Sequence, residues 1–74
     1  MPKLPIIKPN ELVRFLLKIG FRELRQRGSH LVMFNVTTNR QLVIPIHNKT
    51  MKKGTLSAIL RQGDISLQEL IDFI

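Results

Sequence analysis

The apolar residues of this chain change spacing twice, and those two changes limit the architectures open to it. Leu12, Val13, Leu16, Leu17 and Ile19, with Phe15 beside them, recur at helical spacing and lay a broad apolar face along one helix. Arg14 and Lys18 fall on the opposite side. Between Phe21 and Ile46 that spacing is gone, replaced by short runs rich in β-branched and apolar residues with turn residues between them, the pattern of strands. From Leu56 the helical spacing returns, with Ile59 and Leu60 completing one face. A helix, then consecutive strands, then helices reads as an α+β fold.

Local chemistry sets the boundaries. Pro9 suits the first position of a helix, Glu11 complements its dipole, and Gly20 closes it. Phe21 to Arg27 is a short strand in which Leu24 stands among Arg22, Arg25 and Arg27, giving it a basic outer side. Gly28-Ser29 is turn chemistry. His30 to Val36 has the composition of a central strand, Thr37-Thr38-Asn39 a polar turn, and Arg40 to Ile46 a third strand, in which Pro45 belongs at an edge or an end. His47 to Lys53 is a basic loop, Gly54-Thr55 opens the second helix and Gly63 stops it. Ser66 with Glu69 forms a capping box for a short last helix whose apolar stripe is Leu67, Leu70, Ile71 and Ile74. The expected architecture is α-β-β-β-α with a short C-terminal helix, the strands forming an antiparallel meander with helices on one face. This is the element order of the double-stranded-RNA-binding domain, which reads A-form RNA by shape and 2′-hydroxyl contacts. Element order alone does not assign a function.

At 74 residues and 43% hydrophobic content, one domain over residues 1–74 with its own core is expected. There is no cysteine, so neither a disulfide framework nor a thiolate metal site is available. No apolar run approaches the roughly 20 residues of a membrane span. Prolines break the opening Met1-Pro2-Lys3-Leu4-Pro5, which lacks the pattern of a secretory signal, so a cytoplasmic protein with no membrane partner is expected. Twelve Lys and Arg against five Asp and Glu give a net charge of +7 and a pI near 11.0. The charge is also lopsided. Residues 1–63 hold all twelve bases against Glu11 and Glu23, whereas Asp64, Glu69 and Asp72 occupy the last eleven residues with no base among them. Such a field attracts phosphate backbones or an acidic protein partner.

Few residues here have the means to do chemistry. His30 stands at the entrance of the central strand, behind the Gly28-Ser29 turn and the bases Arg25 and Arg27. Counting by twos places it on the face of Val32, Phe34 and Val36, where a histidine is either a satisfied boundary residue or an exposed acid–base group. His47 follows Pro45-Ile46 and falls toward the His30 end if the second and third strands pair as a hairpin. RNA cleavage without a metal needs a base for the 2′-hydroxyl and an acid or positive charge for the leaving 5′-oxygen, work that two histidines can share. Lys49, Lys52 and Lys53 precede the second helix, whose free amides favour anions, and together they are the main phosphate-binding candidates. Without Trp or Tyr, and with all four Phe expected in the core, RNA would be held by its backbone rather than by base stacking. No metal-ligand motif or nucleotide loop is present, and no cofactor is expected.

Taken together, Lys18-Ile19-Gly20-Phe21, Arg27-Gly28-Ser29-His30, Val43-Ile44-Pro45-Ile46-His47 and the tract Lys53-Gly54-Thr55-Leu56-Ser57-Ala58-Ile59-Leu60-Arg61-Gln62 resemble the HicA toxins of toxin–antitoxin systems. The likeness runs over nearly the whole chain. It implies a double-stranded-RNA-binding-like fold, metal-independent cleavage of mRNA, and neutralisation by a HicB-type antitoxin. The family's catalytic histidine maps onto His30. One departure is Gln62-Gly63-Asp64, where an Ala-Gly pair often follows the Gln, at a helix end. The resulting expectation is a toxin ribonuclease with His30 as general base, His47 as candidate assistant, and Arg25, Arg27, Lys49, Lys52, Lys53 and Arg61 on the RNA. The rivals are a non-catalytic RNA-binding module of the same fold and a regulatory protein whose basic face docks an acidic partner.

Overall fold

In the computed structural model, which describes residues 3–74, α1 (Pro9–Lys18) leads into a three-stranded sheet of β1 (Arg22–Arg27), β2 (His30–Asn35) and β3 (Arg40–Pro45). Two helices follow, α2 (Lys53–Gln62) and α3 (Leu67–Phe73). The sheet order is β1-β2-β3 and both pairings are antiparallel, so the expected meander forms. Met1 and Pro2 of the irregular lead-in lie outside the described residues.

The helices cover one face of the sheet and leave the other open. Leu31 and Met33 of β2 and Leu42 and Ile44 of β3 are buried with Leu12, Phe15 and Leu16 of α1 and Leu56, Ile59 and Leu60 of α2. Fully burying an aliphatic side chain contributes about 1.5–3 kcal/mol, so this single cluster is what holds the helices to the sheet. The cluster leans toward β3, and every residue of β1 is exposed. A bulge at Leu24, between Glu23 and Arg25, bends that bare strand and leaves Leu24 half exposed.

Phe34 departs from the sequence reading. Phe15 and Phe21 are core residues, and Phe73 packs its ring 5.5 Å from Phe15, but Phe34 is half-buried on the uncovered face. Strand alternation explains it, because Phe34 shares parity with His30 rather than with the inward Leu31 and Met33.

Helix ends follow capping rules, with two refinements. The α1 terminus is a Schellman turn: the Phe21 amide donates to Leu16 O at 2.9 Å and the Gly20 amide to Leu17 O at 3.3 Å. Gly20 takes φ +109° there, a conformation that a side chain resists. α2 ends in the same motif, yet the left-handed residue is Asp64 (φ 55°), one position after Gly63. At α3 only half of the expected capping box forms. Ser66 Oγ accepts from the Glu69 amide at 3.2 Å, while the Glu69 carboxylate binds the Ser66 hydroxyl instead of its amide. α2 also starts one residue before Gly54, because Lys52 caps it and the Leu56 amide closes the first turn on Lys52 O.

Candidate active site

His30 owes its position to a two-residue hairpin. Gly28 has φ 57° and is followed by Ser29, so only the first central residue is left-handed, as in a type II′ turn with glycine leading. The turn sets Arg27 opposite His30, and on the other side β3 sets Pro45 opposite His30. An exposed imidazole is thus held on the central strand between an arginine and a proline. Nothing lies within 4 Å of where a Gly28 side chain would begin, so the approach over the turn is open.

Further along the uncovered face, Arg25 pairs with Val32 and Val32 with Val43, and Arg22 pairs with Phe34 and Phe34 with Gln41. Cross-strand partners share a face, which makes a basic margin along β1 beside an apolar centre. Arg22 is partly withdrawn from that margin, since its Nη1 donates to Phe21 O at 2.8 Å and Leu17 O at 3.1 Å. Arg25 and Arg27 are the exposed cations that remain next to the His30 row.

His47 is brought to the same end. The Ile46 amide donates to Ser29 O at 2.6 Å, carrying the β2–β3 pairing one step past Pro45. His47 is exposed, and its Nδ1 accepts from the Lys49 amide at 3.2 Å. The basic loop is tied down by the Met51 amide donating to Ile7 O at 2.7 Å, which sets the starts of α1 and α2 beside each other. Lys49, Lys52 and Lys53 are all exposed there, and the first turn of α2 contains no acidic residue. Lys8, which caps α1 and was not singled out from sequence, belongs to this end as well, because Ile7 precedes it directly.

Arg61 does not join them. α2 runs antiparallel to β3, and Arg40 Nη1 donates to Gln62 O at 3.4 Å at the far end of the sheet. Arg61 lies in that last turn, about 12 Å from Lys53 at 1.5 Å per residue. A shallow groove of about 300 Å³ lined by Phe15, Lys18, Ile19, Glu69, Asp72 and Phe73 is also remote from both histidines. Asn35, at the other end of β2 from His30, is a residue whose part sequence reasoning missed. It is 4% exposed, accepts from the Thr37 and Thr38 amides at 3.0 and 3.3 Å, and donates to Ile19 O at 3.4 Å. A lone Asn closing an apolar strand ahead of Thr37-Thr38 was the available signal.

The arrangement is an exposed imidazole flanked by an arginine, with a second imidazole and a lysine-rich helix start at the same end. Among the described residues, no group of three or more His, Cys, Asp or Glu gathers at one point, and no helix is long and apolar enough to cross a membrane. No curated protein matches the chain. A family model described as HicA toxin of bacterial toxin–antitoxin matches residues 9–65, a span from the first residue of α1 to just past α2 that includes both histidines and the basic loop. The chain therefore belongs to the HicA toxin family and is the toxin of a toxin–antitoxin pair.

Proposed function

We propose that residues 1–74 form a single toxin domain that cleaves mRNA in the cytoplasm without a metal ion, with His30 as general base. The observation that carries this reading is the placement of His30: exposed, at the mouth of a rigid central strand, with Arg27 directly across from it. A side chain held by a sheet is better positioned for proton transfer than one on a free loop. His30 removes the proton of a 2′-hydroxyl, and the 2′-oxygen forms a bond to the adjacent phosphorus. The bond from phosphorus to the 5′-oxygen breaks, and that oxygen takes a proton from water. The products are a 2′,3′-cyclic phosphate and a 5′-hydroxyl.

Arg25, Arg27, Lys49, Lys52 and Lys53 neutralise the phosphates on either side of the cleaved bond, and Gly28-Ser29 lets the strand approach. Arg61, in the last turn of α2, meets RNA only where a segment passes that other end. Purified protein incubated with a long RNA in EDTA tests the reading. Cleavage that disappears in His30→Ala supports it. Binding without cleavage would favour the non-catalytic RNA-binding module, and no RNA affinity at low salt would favour a protein-docking role.

As the toxin of a pair, the chain has an antitoxin partner. That antitoxin is of the HicB type and covers His30 directly, its acidic groups meeting the arginine and lysine margin and its apolar groups meeting Phe34 and Val43. Charge speeds such an encounter and apolar contact prolongs it. RNA affinity of the His30→Ala protein, measured with and without saturating antitoxin, should fall steeply in the complex. Unchanged affinity would require inhibition by another route.

A further inference from the structure

We propose that His47 is a second catalytic residue, whose Nε2–H donates to a non-bridging oxygen of the phosphate attacked at His30. The inference rests on the ribonuclease reading and assigns the group that reading left open. Three observations carry it. First, register. Pro45 is the partner of His30, and Ile46 continues the pairing through Ser29 while packing against the core. β3 ends at Pro45, and with Ile46 turned to the core an alternation continued by one residue puts His47 toward the His30 side of the sheet. The two histidines then stand in the relation of diagonal neighbours across the strands, a separation of roughly 7–8 Å in a regular ladder. Imidazoles on such a diagonal leave room for one phosphate between them, each reaching it by a hydrogen bond of about 2.7–3.2 Å.

Second, ring orientation. His47 Nδ1 accepts from the Lys49 amide, and in the tautomer that matches this bond Nε2 carries the N–H. Held this way, His47 presents Nε2–H outward as a hydrogen-bond donor. Third, charge. Lys49, Lys52 and Lys53 surround the same loop, so an anionic phosphate is the ligand this Nε2–H would meet. Hydrogen bonds aimed at oxygens that gain charge in the transition state speed the reaction without a net proton transfer.

Two substitutions separate chemistry from loop support. His47→Asn keeps an acceptor for the Lys49 amide and loses the outer donor, whereas His47→Gln places an N–H near the Nε2 position. Cleavage should fall about 10²-fold in His47→Asn, the scale of one lost donor to a developing oxyanion, and recover to within about tenfold of wild type in His47→Gln. An RNA carrying sulfur in place of the 5′-bridging oxygen has a leaving group that needs no proton. The His47→Asn defect should persist on it. Loss of the defect on that substrate would show that His47 supplies the leaving-group proton, and wild-type cleavage by His47→Asn would show that it only anchors the loop; either overturns the proposal. If His30→Ala cleaves normally or the wild type leaves RNA intact, the His30 reading fails first and the assignment of His47 falls with it.

Discussion

β2 begins with His30, exposed and ringed by positive charge, and ends five residues later with Asn35, 4% exposed and hydrogen-bonded to three backbone groups. At the first end the turn is open, the loop is rich in lysine and two helices begin. At the second end α1 finishes in a Schellman turn, the Asn35 carboxamide ties the β2–β3 turn to Ile19, and the acidic α3 packs nearby through Phe15 and Phe73. One strand thus separates two kinds of work. Its far end satisfies buried polar groups, which sustains the fold. Its near end leaves polar groups free, which is what binding and proton transfer require.

Substitutions at the two ends should fail in opposite ways. His30→Ala is expected to reduce the cleavage rate about 10²–10⁴-fold with an unchanged melting temperature, since the side chain is exposed. If it unfolds the protein instead, the near end is structural and the contrast collapses. Asn35→Ala is expected to cost about 1–3 kcal/mol in urea unfolding, because two amides and a carbonyl lose a buried partner. Its cleavage rate per folded molecule should stay close to wild type. An Asn35→Ala protein of full stability would mean that the carboxamide does not join the turn to α1.

Binding sharpens the same contrast. Lys52→Ala combined with Lys53→Ala should flatten the salt dependence of single-stranded RNA affinity by about 1.4 in log–log slope, at about 0.7 per phosphate contact. Arg61→Ala, at the far end, should change that slope much less. Equal effects from both would mean that RNA wraps the length of α2. The smallest effect is at the end of α2, where Asp64 occupies a left-handed position. Asp64→Gly should stabilise the protein by up to about 1 kcal/mol, read as a slightly higher melting temperature, with cleavage untouched. A loss of stability would show that the Asp64 side chain has a favourable role there.

The sequence made the near end more legible than the far one, for physical reasons. Gly28-Ser29 is local turn chemistry, and it places His30 without knowledge of the rest of the fold. The helices and strands were equally legible, because spacing and caps are local too. The run from Leu31 to Phe34 is apolar at every position, so alternation did not reveal which face the helices cover, and Phe34 was assigned to the core. Arg61 was grouped with the lysines because charge composition carries no direction, whereas the antiparallel run of α2 along β3 sends it to the other end. The role of Asn35 needed Ile19, sixteen residues away, and the orientation of the His47 ring needed the Lys49 amide.

The central claim is that His30 activates a 2′-oxygen. It is tested most directly by the chemistry of the ends that wild-type protein leaves on RNA in EDTA. The account predicts 2′,3′-cyclic phosphate on one fragment and 5′-hydroxyl on the other, with no cut at a position where the 2′-hydroxyl is replaced by hydrogen. A 5′-phosphate with a 3′-hydroxyl, or continued cutting at the 2′-deoxy position, would contradict it.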